Sequence, residues 1–304
     1  TPEELNIVDG GTSATSTTVA DADRVVMNDG GTMVQVAVTD LAAYFDDEIT
    51  AMPNLVTVGA AQQLTTLAGI PFYQGDTGSI YTHNVSGTDD TAQYNSAYGL
   101  TALDAITTGD NNVAMGYNAL SANNSGPSNT AVGYHALKLN TSGGSNVAVG
   151  KSALAANTTA SNNIAVGTSA LAANTTGTRN IAIGDSAYDA SDTENDNMAI
   201  GHNAMTTNTA GGTNNVAIGN YSMDAHTSGD SNTAVGVNTL TTNTTGSNNT
   251  VVGHNSLYNN STGDSNTAIG VSALTANLAN SNIGIGVNAA VANTTGTRII
   301  AIGN

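Results

Sequence analysis

The residues best suited to chemistry lie in one short stretch, Asp185-Ser-Ala-Tyr-Asp-Ala-Ser-Asp-Thr-Glu-Asn-Asp-Asn197. Asp189, Asp192, Glu194 and Asp196 offer hard carboxylate oxygens there, with asparagine carbonyls beside them, and Ca²⁺ selects such ligands. The stretch lacks the central glycine and distal glutamate of an EF-hand loop, and the sequence favours the competing reading, a solvated acidic loop. The imidazoles are His83, His135, His202, His226 and His254. His202 and His254 share a register but fall three repeats apart, roughly 14 Å at the spacing of stacked strands, too far to share a metal ion. Surface or stacked positions are expected for the histidines. Gly144-Ser-Asn-Val-Ala-Val-Gly-Lys-Ser152 imitates a phosphate-binding P-loop, but five residues separate its glycines where the motif requires four. Carboxylates for glycoside hydrolysis occur only as Asp46-Asp47-Glu48, Asp89-Asp90 and the 185–196 stretch, and nothing singles out a pair. No Ser–His–Asp or Cys–His set is suggested. A non-enzymatic protein is expected, with Ca²⁺ at the acidic stretch as the one cofactor candidate.

The elements that would position these residues have an unusual composition. The chain has 304 residues, no cysteine, no tryptophan and 34 glycines, and only 9% of its residues are charged, against roughly 25% in an ordinary soluble domain. Without cysteine there is no disulfide framework, thiolate chemistry or Cys-ligated metal site. The formal net charge of -18 argues against nucleic-acid or anionic-membrane partners, which need a positive field. No run approaches about 18 consecutive apolar residues, so no membrane insertion is expected, and Thr1 to Asn6 show no signal-peptide pattern. The acidity is local. Residues 1–111 carry 15 Asp+Glu and one Lys+Arg, whereas residues 112–304 carry 8 and 4. The larger part is therefore an almost uncharged segment presenting amides and hydroxyls.

That segment is one repeat. Asn-x-Ala-Val/Ile-Gly recurs with its glycines at 116, 133, 150, 167, 184, 201, 219, 236, 253, 270, 286 and 303, a period of 17 broken once by 18 and once by 16. Gly99 stands 17 before Gly116 and hints at a degenerate coil at the front. The consensus unit has a β-branched residue, a residue that is nearly always Ala and a second β-branched residue, Met115 being the exception, before a glycine able to turn the chain, then Ala-Leu and the turn chemistry of Asn-Thr-Thr-Gly. Seventeen residues with two turns are too few for a helical pair, since helical repeats need about 33 or more. The unit reads as one coil of a parallel β-solenoid, about twelve coils over residues 112–304.

Stacking at about 4.8 Å sets each side chain on its counterpart. The Val/Ile before each glycine and the leucines four after it (Leu120, Leu137, Leu154, Leu171, Leu240, Leu257, Leu274) are expected to form apolar columns. Two asparagine columns, one through Asn112, Asn129 and Asn146 onward and one through Asn123, Asn140 and Asn157 onward, are expected to hydrogen-bond along the stack. Two or three aliphatic side chains per coil bury too little to offset ordering seventeen residues at about 1–2 kcal/mol each. A second buried surface is therefore expected, with the small alanines suited to close approach by another chain: a homo-oligomer, most naturally three-fold.

Ahead of the array, Arg24-Val-Val-Met and Met33-Val-Gln-Val-Ala-Val flank Asn28-Asp-Gly-Gly31 and predict a β-hairpin. Thr39 or Asp40 is expected to cap a helix with Leu41, Tyr44, Phe45 and Ile49 on one face, stopped by Pro53. Residues 1–53 read as a small α+β module for attachment or capping, and residues 54–111 as a connector or small β domain.

The runs Asn-Val-Ala-Val-Gly-x-x-Ala (146–153) and Asn-Ile-Ala-Ile-Gly-x-x-Ala (180–187) resemble the head repeats of YadA-type trimeric autotransporter adhesins, and more closely the Asn-Thr-Ala-Val-Gly-x-x-Ala-Leu arrays of bacteriophage tail fibres. The resemblance covers residues 112–304; the 17-residue coils are longer than those of the adhesin heads. It implies a left-handed parallel β-roll in a homotrimer. The function it implies is a virion fibre or adhesin protein that attaches to a host-surface glycan and joins other tail proteins through its N-terminal region. The alternative is a bacterial cell-surface adhesin of the autotransporter type, with a tailspike depolymerase or an ice-binding solenoid behind it. In the repeat positions, Tyr117, Tyr134, Tyr221 and Tyr258 are scattered aromatic candidates for recognition.

Overall fold

The structure, a computed structural model, describes residues 24–29, 32–37, 66–67, 70–71, 73–74, 80–82, 91–207 and 211–304. The chain divides into two units, Thr1–Leu64 and Thr65–Asn304. In the first, β1 (Arg24–Asp29) pairs antiparallel with β2 (Thr32–Ala37), with Asp29 opposite Thr32. This is the hairpin that the Asn-Asp-Gly-Gly turn predicts. The helix predicted after Thr39 lies outside the described residues.

In the second unit, β3 (Thr66–Leu67) pairs with β4 (Ile70–Pro71). One 15-stranded sheet then runs from β5 (Tyr73–Gln74) and β6 (Ile80–Tyr81) through the three-residue strands β7 (Ser96–Tyr98) to β19 (Ile300–Ile302). Apart from the antiparallel pair β5–β6, every neighbour is parallel and in strict sequence order. Among the described residues there is no helix. The unit is an all-β parallel solenoid, and its glycine period is the period of its strands. At about 4.8 Å per strand, the parallel stack extends about 60 Å.

The sheet starts ahead of residue 112. Ser96–Tyr98 pairs in register with β8 (Val113–Met115), and Asn95, Ala97, Ala102 and Leu103 are buried as their counterparts are in later coils. The degenerate coil hinted at by Gly99 is a full coil. Its repeat pattern is blurred because Ile106, fully buried, stands where the next four coils carry an asparagine.

The strand interior corrects the expected packing. In β11 (Ile164–Val166) the central Ala165 is buried, whereas Ile164 and Val166 are exposed, and this out-in-out pattern recurs along the array. The alanines expected to meet another chain, Ala165 and Ala170 among them, have no exposed surface at all. The leucine column is inside, as expected: Leu120, Leu137, Leu154, Leu171, Leu240, Leu257 and Leu274 are fully buried. The reason is width. Alternation sends either the middle side chain or the two flanking ones of a three-residue strand inward, and the coil interior, already holding a leucine, has room only for the single small one. At Gly284, the inward position of β18 (Ile283–Ile285), an added Cβ would stand 2.8 Å from Leu274 Cγ. The two flanking residues of each strand are thereby left on the outer face, from Val113 and Met115 to Ile300 and Ile302.

Candidate functional site

Two buried amide ladders tie the coils together. In the first, each asparagine N–H donates to the Oδ1 of the asparagine one coil earlier, as Asn163 does to Asn146 at 3.0 Å and Asn180 to Asn163 at 2.8 Å. The same side chain donates through Nδ2 to a carbonyl in the following turn, Asn163 to Gly177 O at 2.8 Å. In the second ladder the amides bond to one another, Asn157 Nδ2 to Asn140 Oδ1 at 2.7 Å, and back to a carbonyl three residues on. Buried carbonyls that the tight turns would orphan are satisfied in this way.

The acidic stretch interrupts the second ladder. Ser191 occupies the asparagine register, and the Oδ1 of Asn174, one coil earlier, has no hydrogen-bond partner. Glu194, a residue only 4% exposed, turns its carboxylate onto the Ser191 turn. Its Oε2 accepts from Ser191 Oγ and from the Asp192 and Thr193 N–H groups at 3.0–3.2 Å, and its Oε1 from Gly211 N–H at 3.1 Å. The other members of the predicted calcium set point to different partners. Asp196 is held in two hydrogen bonds by Arg179, at 2.6 and 2.7 Å, and this lowers its carboxyl pKa below the ordinary value. Asp192 accepts from Thr175 Oγ1. Asp189 is half-buried, and its pKa is raised chiefly by that burial. Among the described residues no three His, Cys, Asp or Glu side chains group to hold a metal. Asp192, Glu194 and Asp196 are each engaged by a group one coil away.

The histidines separate into an interior one and exposed or half-buried ones. His226 is fully buried at the second-ladder register, a role that its spacing of 17 from Asn243 makes readable in sequence. Its Nε2 contacts Gly229 O at 2.8 Å and its Nδ1 faces Asn243 Nδ2 at 3.2 Å, which fits a neutral ring donating at the first and accepting at the second. Burial is the main cause that lowers its pKa below the ordinary imidazole value. An unfolded chain therefore takes up the proton first. The contribution of neutral His226 is complete above about pH 6.5 and is lost as pH falls through the folded value. A thermal melt series from pH 8 to 5 is expected to show a declining midpoint that His226→Asn, which restores the ladder residue, flattens. His202 lies half-buried with Nδ1 3.5 Å from Asp185 Oδ2 and Tyr221 edge-on at 5.4 Å. His254 is exposed. His83, Asp46-Asp47-Glu48 and Asp89-Asp90 lie outside the described residues.

The P-loop imitation resolves into coil geometry. Val147–Val149 is strand β10, and Gly150, with φ +137°, turns the chain over Gly167. No helix follows to supply a phosphate-binding N-terminus.

One cluster brings aromatic candidates together. Tyr117 and Tyr134, one coil apart, stack with ring centroids 5.5 Å apart and planes at 17°. His135 stacks on Tyr134 at 3.8 Å. Tyr258 stands elsewhere, half-buried. Comparison of the chain with protein-family models, with curated proteins and with solved structures gave no match. The fold and its surface thus carry the functional reading.

Proposed function

We propose that the chain is a structural fibre or adhesin protein of a bacteriophage tail, without enzymatic activity, assembled as a homotrimer. The observation that carries this reading is the outer strand face. One column, from Met115 to Ile302, is aliphatic in every coil and a second mixes aliphatics with Thr130, Thr233, Thr250 and Thr267, and residues such as Ile164, Ile183, Val252, Ile269 and Ile285 remain 37–40% exposed in the single chain. Soluble monomers rarely leave a continuous apolar patch larger than a few hundred Å² open to water. Identical copies carry identical stripes, so a closed three-fold arrangement buries all of them around one axis. The remaining faces present mainly amides, hydroxyls and scattered tyrosines, with exposed aliphatics such as Leu139, Val237, Val271 and Leu278 among them. They would meet a host-surface glycan through many weak contacts added by avidity, while the N-terminal region joins other tail proteins.

The purified full chain is expected to bind host cells saturably and to be displaced by their extracted surface polysaccharide. Binding that the polysaccharide leaves untouched, or release of new reducing ends from it, contradicts the reading.

A further inference from the structure

Tyr117 and Tyr134 follow Gly116 and Gly133 at one register, and each ring is about half exposed, 46% and 48%. With His135 stacked on Tyr134 and 5.7 Å from Tyr117, they form a three-ring surface. Asn118 Nδ2 lies 3.3 Å from His135 Nε2, and Thr101 Oγ1 donates to Asn118 Oδ1, so the imidazole is held from the coils below. The next residue at the tyrosine register is Lys151, exposed; Lys138, half-buried, lies three residues beyond His135. These are the only two lysines in a chain of net charge -18. Lys151 thus follows the ring stack by one coil, about 5 Å along it, and burial, followed by the charges of Lys138 and Lys151, lowers the His135 pKa. The acids at the two lysine registers, Asp104 and Asp185, stand two coils away, about 10 Å.

The geometry points to a binding site for an anionic sugar, a pyranose bearing a carboxylate or a phosphate, on Tyr117, Tyr134 and His135 with Lys138 and Lys151 taking the charge. A pyranose presents an apolar C–H face that suits half-exposed rings, and tyrosine supplies rigid amphipathic area at little entropic cost. Rings alone would accept any sugar. Two ammonium groups make charge-assisted hydrogen bonds to an acidic substituent, which a neutral sugar does not offer. This inference rests on the host-attachment reading and goes further, naming the ligand class and its place.

The test titrates the full chain by calorimetry and tyrosine fluorescence with three oligosaccharides of equal length: an oligoglucuronate, a phosphorylated oligoglucose and neutral oligoglucose. At least one acidic probe is expected to bind about tenfold more tightly than the neutral one, and which one does so separates carboxylate from phosphate. Tyr117→Ala/Tyr134→Ala is expected to weaken that binding about tenfold or more. Lys138→Gln/Lys151→Gln is expected to reduce it to the level of the neutral probe. Acidic and neutral probes within about twofold of each other, or acidic binding unchanged in the tyrosine variant, overturns the site. Cell adsorption separates the two readings. Wild-type adsorption matched by the tyrosine variant leaves host attachment standing and refutes this site. Failure of wild-type adsorption with the probe results intact refutes host attachment alone.

Discussion

Gly201→Ala is expected to lower stability by about 4 kcal/mol or more, among the largest effects a single methyl group produces. Two costs coincide. Gly201 has φ +137°, a conformation that L-residues adopt only at about 1–3 kcal/mol. Its added Cβ would also stand 2.6 Å from both the carbonyl carbon and oxygen of Gly219 in the next coil. Gly109→Ala separates the two costs. There the Cβ would likewise meet a carbonyl oxygen of the next coil, Gly126 O, at 2.6 Å, but φ lies outside the left-handed region. Ala160 and Glu194 occupy the Gly109 register in other coils, so the backbone there accommodates a side chain. Gly109→Ala is expected to cost half as much or less. Thermal unfolding followed by circular dichroism measures both, and hydrogen exchange should place the Gly201→Ala loss in the adjoining coils, since each coil contacts only its neighbours.

The second large effect concerns Asn163. Asn163→Ala leaves the Asn180 N–H without its Oδ1 acceptor and takes from the Gly177 carbonyl one of its two donors, the other being Asn174 Nδ2 at 3.1 Å, in a fully buried site. The orphaned N–H costs about 1–3 kcal/mol and the lost second bond to the carbonyl about 1 kcal/mol, so a loss of about 2–4 kcal/mol is expected. Asn163→Asp adds a signature that a cavity would not give. Its carboxylate can accept from Asn180 but turns a lone pair toward Gly177 O, so burial and that contact raise its pKa. The protonated form can donate where the amide did. Stability of this variant is therefore fully present below the ordinary carboxylate pKa of about 3.9 and lost as pH rises through the folded value. Urea titrations at pH 4 and pH 7 should differ in that sense, whereas Asn163→Ala should show no such pH dependence.

The architecture is legible in sequence because stacking converts position into period. A side chain that must sit on its counterpart repeats every coil, so the asparagines of both ladders, the leucines and the turning glycines all announce themselves. What the period does not encode is which way a side chain points. Ala165 and Ile164 repeat equally well, and only the narrow interior beside Leu171 decides that the alanine goes in and the branched residues out. The candidate site was legible only in part. Glu194, Asp192 and Asp196 look like metal ligands because their carboxylates cluster in sequence, yet a coil sends consecutive residues to different faces. Each finds a partner one coil away, such as Arg179 for Asp196. Tyr117, Tyr134 and His135, by contrast, come together because two of them lie 17 apart.

The outer faces of β10 and its neighbours bear directly on assembly. Val149, Val166 and Ile183 occupy one column of the stripe, in register across adjacent strands. A chain that keeps this column in water would have to tolerate it over the whole array. The measurement that tests the account most directly is the mass of the purified full chain by multi-angle light scattering, over a dilution series. A mass three times the 30.2 kDa of one chain, falling when Val166→Lys and Ile183→Lys are introduced together, is predicted. A stable monomer, or a trimer indifferent to the two lysines, would contradict it.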